Sequence, residues 1–197
     1  MISVCMIVQD EEECIERCLD SINEYVDEIV IVDGGSIDKT IELVSRYPKA
    51  KIYPIPFNKN YSEQRNRSIE LATNEWVFVA DADEYFYPYI MSALKRLIMD
   101  FPEHDAFAFP RKTIVDGTFH NIVNPDFQTR LFKNYCYYEG IMHEGVVGFN
   151  NLCYTNMEII HDKKSAWQLK DENIYQEIGF ASFPGWEMID GKWVHNG

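Results

Sequence analysis

The residues best placed to do chemistry are carboxylates that stand where apolar runs stop. Asp81-Ala82-Asp83-Glu84 ends the run Glu75-Trp-Val-Phe-Val-Ala, which suits a buried strand. In extended backbone, residues i and i+2 point to the same side, so Asp81 and Asp83 would address one site. Hard oxygen ligands at a strand end suit Mg²⁺ or Mn²⁺, which keep positions open for phosphate oxygens. A metal-bridged diphosphate is the natural occupant. The plain alternative is that these acids cap the next helix or face solvent, and a DxD triplet alone does not decide between the two. Asp33 ends a second run, Glu28-Ile-Val-Ile-Val, and leads into the turn Gly34-Gly35-Ser36.

Several elements must position these acids. Ser3 to Val8 is an apolar, β-branched run suited to a strand buried on both faces. Asp10 is placed to cap the helix that follows, in which Ile15, Cys18, Leu19 and Ile22 form one apolar stripe. Asp38 to Arg46 suits a second helix, Lys51 to Phe57 an edge strand with two prolines, and Ser62 the cap of a helix through Ala72. Met91, Leu94, Leu97 and Ile98 mark a further helix. This alternation predicts an α/β fold with a Rossmann-like, mostly parallel central sheet flanked by helices. Ligands in such sheets collect beyond the carboxyl ends of the strands, so Asp33 and Asp81 would share a crevice. After residue 103, short aromatic runs replace the alternation and suggest a smaller, strand-rich region on the acceptor side. No repeat or linker separates the parts. The expectation is one domain over residues 1–197, with a nucleotide-binding half at 1–102 and an acceptor and metal-completing half at 103–197.

Composition narrows the classes of function. The 197 residues carry 18 Lys plus Arg against 32 Asp plus Glu, a formal net charge of −14. So few cations argue against a nucleic-acid footprint or a polybasic membrane patch. The 46% hydrophobic content argues against a disordered acidic chain. The five cysteines are odd in number and contain no CxxC pair, which disfavours a zinc ribbon or a disulfide framework. The N-terminal apolar run lacks a basic flank and reads as a strand rather than a signal peptide. No stretch approaches the roughly 20 apolar residues of a membrane span. A cytoplasmic location follows as the default, with peripheral contact at a membrane left open, and oligomeric state is not legible.

The ordered set of motifs is more specific than any member of it. The opening strand followed by acids, then Asp33-Gly-Gly-Ser-Ile-Asp-Lys-Thr40, Arg65-Asn66, and the strand ending in Asp81-Ala-Asp83-Glu84 resembles the family 2 glycosyltransferases of the GT-A fold. Arg130-Leu-Phe132 and Gly140-Ile-Met-His-Glu144 are similar to later motifs of that family, in the branch carrying HE in place of ED, near lipopolysaccharide-core-type transferases. The resemblance covers roughly residues 2 to 165.

It implies a nucleotide-diphosphate sugar as donor, UDP-sugar first and GDP- or dTDP-sugar next, with Mn²⁺ or Mg²⁺ as cofactor. Val8, Glu11, Asp33, Gly34, Arg65, Asp81, Ala82, Arg130 and His143 would surround the donor. Asp33 would meet the nucleobase or ribose, or else be a turn-capping acid. Asp83 and His161 would hold the metal, although a lone histidine after an apolar run is also a common structural residue. Arg65 and Arg130 would contact phosphate or sugar, or else form exposed salt bridges. Glu144 would be the base of an inverting transfer, or else simply pair with an arginine. Gln9-Asp10-Glu11 stands where the family often has Lys-Asn-Glu, which leaves the nucleotide open. The aromatic residues after Trp167 (Tyr175, Phe180, Phe183, Trp186, Trp193) would stack on an acceptor or cover the core.

The acceptor would be a saccharide, a lipid-linked sugar or another hydroxyl compound. Two competing readings are a sugar-nucleotide-binding protein without catalysis and a nucleotidyltransferase. The latter would want a basic, glycine-rich loop where Gln9 to Glu13 is acidic.

Overall fold

The computed structural model describes residues 1–119, 125–141 and 144–164, together with the backbone of 186–189 and 192–195. The chain divides into two compact units, Met1–Asp162 and Lys163–Gly197. In the second, strands β13 (Trp186–Ile189) and β14 (Lys192–His195) pair antiparallel.

The first unit is built on a sheet whose buried strands are the apolar, β-branched runs of the sequence. β1 (Ile2–Val8), β2 (Glu28–Asp33) and β4 (Trp76–Val79) are buried along nearly their whole length, as strands covered on both faces must be. Between them come α1 (Ile15–Ile22), α2 (Thr40–Val44), β3 (Ala50–Pro54) and α3 (Tyr61–Glu70). β3, β2, β1 and β4 lie side by side in that order and parallel, with the proline-bearing β3 at the edge. The register pairs Val8 with Asp33 and Cys5 with Val79, so the carboxyl ends of β1, β2 and β4 form one rim.

β5 (Glu84–Tyr85) and α4 (Pro88–Asp100) follow that rim. The expected mostly parallel sheet is parallel over these four strands and mixed beyond them. β6 (Ala106–Val115), β7 (Thr118–Phe119) and β8 (Asp126–Lys133) are joined by short connections, which return a chain antiparallel. Asp116-Gly117, both at positive φ, make the two-residue hairpin from β6 to β7. β8 pairs antiparallel with β4 and with β6, and the path continues through β12 (Ile159–Lys163) to β5. β11 (Leu152–Tyr154) runs parallel to β6, and β9 (Tyr137–Glu139) pairs with β10 (Gly145–Val147) outside the main sheet. Strands from beyond residue 102 are thus hydrogen-bonded directly to β4. No helix among the described residues is long and apolar enough to cross a membrane.

Two expected caps fall elsewhere. α1 begins five residues after Asp10, with Cys14 at its N-cap and no side-chain cap bond. Asp10 instead takes φ +56°, and its Oδ1 accepts the Ile37 N–H at 2.7 Å, tying the loop after β1 to the loop after β2. α3 is capped by Asn60, whose Oδ1 accepts the Glu63 N–H at 3.1 Å, and not by Ser62. Ser62 lies inside the first turn, where its hydroxyl donates to the Gly140 carbonyl.

At the opposite end of the sheet from the rim, Glu28 clasps several strands. Its carboxylate accepts from Ser3 Oγ at 2.7 Å, from Thr73 N and Oγ1 at 2.9 Å each, and from Lys51 Nζ at 2.9 Å. Burial would raise its pKa, but these donors outweigh burial and bring it from 4.5 down to about 2. A depressed carboxylate contributes stability that is present above pH 4.5 and is lost as pH falls toward 2. Glu28→Ala is expected to cost about 3 kcal/mol at pH 7, because the buried Ser3 hydroxyl and the Thr73 and Lys51 donors lose their acceptor together. It should also flatten the acid limb of the stability profile. Urea denaturation of both proteins between pH 7 and pH 2 measures the two effects, and unchanged acid sensitivity would sink the assignment.

Candidate active site

The rim begins at the ends of β1 and β2. Gly34 N donates to the Val8 carbonyl at 2.8 Å, and a Cβ at Gly34 would lie 3.1 Å from Gln9 Oε1 and 3.2 Å from Phe57 Cβ. The close approach of these chains therefore calls for glycine. Asp33 is 2% exposed, and its carboxylate is turned into its own loop. It accepts from Gly35 N at 3.1 Å, Ser36 N at 3.2 Å and Ser36 Oγ at 2.5 Å. This is the turn-capping arrangement. Glu11 N donates to Thr40 Oγ1 at the start of α2 at 2.7 Å, while the Glu11 carboxylate accepts from the Cys14 thiol at 3.3 Å.

Beyond Val79 the chain does not stay extended, as the i and i+2 argument assumed. Residues 81–84 form a turn closed by Glu84 N donating to the Asp81 carbonyl at 3.0 Å. Glu84 returns the bond, Oε2 accepting the Asp81 N–H at 3.1 Å. Ala82 and Glu84 face inward, while Asp81 and Asp83 keep the half-exposed side and take different partners.

Asp81 belongs to a ladder of charges. Arg65 donates through Nη2 to Asp81 Oδ1 at 2.8 Å and through Nε to Glu144 Oε1 at 2.6 Å. Arg130 donates through Nη2 to Asp81 Oδ2 at 2.6 Å and to Glu84 Oε1. The antiparallel register of β8, which pairs Phe78 with Leu131, carries Arg130 to the end of β4. These are ion pairs mostly withdrawn from solvent, fully so between Arg130 and Glu84, not the exposed salt bridges that were one expectation. Arg130 is 4% exposed at its side chain and Glu84 0%. Burial pulls the Asp81 pKa upward, yet the adjacent Arg130 and Arg65 charges hold it well below the usual carboxylate range. Glu84 goes the other way: burial raises it, Asp81 adds to that, and Arg130 offsets only part. Arg65 also lies over the Tyr138 ring, 5.4 Å from its centroid. Arg65 Nη1 and Arg130 Nε are buried and have no hydrogen-bond partner among the described residues.

Asp83 meets His161, which stands 78 residues further on, with Oδ2 3.0 Å from Nε2. The other ring nitrogen, Nδ1, is 3.2 Å from Thr113 Oγ1 on β6, so the imidazole is held at both ends. β12 pairs with β5 at His161 and Glu84, which brings the histidine to the turn. Among the described residues no group of three or more His, Cys, Asp or Glu side chains gathers at one point. His143 lies outside the described residues, as do Tyr175, Phe180 and Phe183 and the side chains of Trp186 and Trp193.

The structure therefore brings Arg65, Asp81, Arg130 and Glu144 together, sets Asp83 with His161 beside them, and leaves Val8, Asp33 and Gly34 along the rim. Glu84 and Thr113 join the site without having been singled out as site residues. The sequence holds a signal for Glu84, an acid adjoining a DxD triplet, and none for Thr113.

A parallel sheet whose strand ends carry a DxD turn, completed by antiparallel strands bearing an arginine and a histidine, has the architecture of a GT-A domain. Residues 3–159 match the profile of glycosyl transferase family 2, and the chain belongs to that family. A TPR repeat-containing protein of Synechococcus elongatus is 36% identical over 133 residues, covering 68% of this chain and 32% of that protein. The lipopolysaccharide core biosynthesis glycosyltransferase LpsC of Rhizobium meliloti is 38% identical over 87 residues, 42% of this chain and 32% of that protein. The chain thus spans about a third of the length of these relatives. Glucosyl-3-phosphoglycerate synthase from Mycobacterium tuberculosis, solved with Mg²⁺ and UDP, superimposes with a TM-score of 0.62 at 15% identity, over 98% of this chain and 85% of that one. At that identity the likeness concerns the fold.

Proposed function

We propose that this chain is the donor-binding and catalytic domain of an inverting glycosyltransferase that moves a sugar from a nucleotide diphosphate to an acceptor hydroxyl. The observation that carries the reading is Arg65 donating to Asp81 and to Glu144 at once. One guanidinium thereby holds a candidate base beside the turn that carries Asp83. Residues 1–102 supply the nucleotide side of the crevice, and residues 103–164 complete it with Arg130, Glu144 and His161. The structure of the Mycobacterium tuberculosis synthase with Mg²⁺ and UDP makes UDP the first nucleotide to test, with GDP and dTDP after it.

The donor set fits a divalent cation. A carboxylate and an imidazole in contact, with no third protein ligand among the described residues, suit Mg²⁺ or Mn²⁺, which bind through few protein groups plus substrate phosphates. Asp83 and His161 would hold the ion, and Thr113 would keep the imidazole oriented. When bound, the ion would supply a positive charge against the diphosphate as it departs. The buried, unpartnered Arg65 Nη1 is a donor in need of an oxygen, as a phosphate or sugar would provide. Glu144 Oε1 is occupied by Arg65, while Oε2 has no partner among the described residues. Oε2 would take the proton from the acceptor hydroxyl as that oxygen bonds to the anomeric carbon and the bond from that carbon to the diphosphate breaks. Attack from the face opposite the leaving group inverts the anomeric centre.

Calorimetry with UDP-, GDP- and dTDP-sugars, with and without Mn²⁺, tests the reading and names the nucleotide. Asp83→Ala is expected to remove the metal-dependent part of donor binding, at least a tenfold loss in affinity, and to leave metal-free binding unchanged. If no nucleotide sugar binds the unmodified protein in either condition, the reading falls. Donor binding without any turnover would favour the non-catalytic alternative.

A further inference from the structure

The residues that follow Asp83 carry three tyrosines that the site described above does not use. Along this stretch Ala82, Glu84 and Phe86 are buried, whereas Asp81, Asp83, Tyr85 and Tyr87 share the open side. Tyr85 stands two residues after Asp83, which meets His161, and Asp162 N donates to the Asp83 carbonyl at 2.9 Å. From there the rings proceed outward. Tyr85 and Tyr87 are edge to face with centroids 6.0 Å apart, and Tyr87 and Tyr89 are nearly parallel, 12° between planes and 5.9 Å between centroids. Tyr87 is 43% and Tyr89 58% exposed. Neither ring is needed by the core: Phe86 and Ile90 fill the inward positions on either side. Arg17 lies over the Tyr85 ring at 4.8 Å and pairs with Asp162 at 2.5 Å, so charged hydrogen-bonding groups border the inner end of the row.

The geometry points to this row as an acceptor subsite for a saccharide, packed against the exposed Tyr87 and Tyr89 rings, with Tyr85 under Arg17 closing the inner end. The inference rests on the glycosyl-transfer reading above. Each pyranose has a face of C–H groups that packs on an aromatic ring and a rim of hydroxyls that the Tyr hydroxyls, Arg17 and Asp162 can serve. Rings held against each other are preorganised, so less freedom is lost on binding. A saccharide fits better than the other candidate occupants. A protein partner would want about 800 Å² of contact on this side, far more than a single row of rings. An anionic bilayer would be repelled by a chain of net charge −14. The inner end of the row also borders the turn of residues 81–84, whose Asp81 shares Arg65 with Glu144, the candidate base for the acceptor hydroxyl.

The test uses the full chain with two probes, UDP with Mn²⁺ and a panel of soluble cello-, malto-, chito- and manno-oligosaccharides of three to six units. Binding is read by calorimetry and saturation-transfer NMR. Tyr87→Ala and Tyr89→Ala should each weaken the best-bound oligosaccharide at least tenfold and leave UDP affinity within about twofold. Tyr87→Phe, which keeps the ring, should stay within about threefold for both. Equal oligosaccharide binding in the alanine variants overturns the inference, as does the absence of oligosaccharide binding in protein that binds UDP. Tyrosine-dependent pelleting with phosphatidylglycerol vesicles, without saccharide binding, overturns it in favour of a membrane contact. Loss of UDP binding in the unmodified protein would instead remove the underlying reading.

Discussion

Glu144→Gln is expected to bind the sugar nucleotide as tightly as the unmodified protein does, within about threefold, while its turnover drops by roughly a thousandfold. The amide retains an oxygen to accept from Arg65 Nε, now 2.6 Å from Oε1, so the ladder beside Asp81 keeps its shape. What the amide cannot do is receive a proton at the position of Oε2. Slow hydrolysis of the donor, with water in place of the acceptor, gives an assay that needs no acceptor to be known. Nucleotide release reports turnover, and calorimetry reports binding. The opposite pattern would sink the assignment of Glu144 as base. If Glu144 serves only to fix Arg65, the variant should lose donor affinity and keep most of its turnover once donor is saturating.

The sheet was legible in the sequence wherever strands are buried on both faces. Three runs of β-branched and aromatic residues, each followed by acids, became β1, β2 and β4 with boundaries within two residues. The caps were less legible because Asn58, Asn60 and Ser62 all have side chains able to cap. The choice fell to a distant partner, the Gly140 carbonyl, which engages Ser62. The Asp116-Gly117 hairpin carries its signal in two adjacent residues and explains why β7 returns antiparallel on β6. The pairings inside the site had no local signal. Arg65 and Glu144 are 79 residues apart, Arg130 and Asp81 are 49, and His161 and Asp83 are 78. Family resemblance could name these residues, but only the register of β8 on β4 and of β12 on β5 shows how Arg130 meets Asp81 and His161 meets Asp83. It also shows that the arginines are committed to carboxylates inside the protein, so any contact with a donor must use the nitrogens those carboxylates leave over.

Arg130→Met is expected to destabilise the domain by about 3–5 kcal/mol, a large share of the roughly 5–15 kcal/mol typical of a folded domain. Arg130 Nη2 serves Asp81 and Glu84 together, and Glu84 is fully buried. Methionine fills much of the volume but leaves Glu84 without its cation, buried beside an Asp81 that keeps only Arg65. Glu84 then escapes by taking up a proton, which its raised pKa already favours. The sign of the pH dependence follows from that. As pH rises, the unfolded chain releases the Glu84 proton before the folded chain does, so the unfolded state binds fewer protons and stability falls with increasing pH. Arg130→Met should therefore be more stable at pH 5 than at pH 8 by urea denaturation. Adding Glu84→Gln should recover part of the loss at pH 8 and remove most of the difference between the two pH values. Arg130→Lys should fall in between, since it keeps the charge but one ammonium must replace a guanidinium shaped to reach both acids. A cost below about 1 kcal/mol for Arg130→Met, with no pH dependence, would mean that water already reaches the ladder. In that case the arginines would be freer to meet a phosphate than their burial implies, and the donor affinity of Arg65→Met would become the more telling measurement.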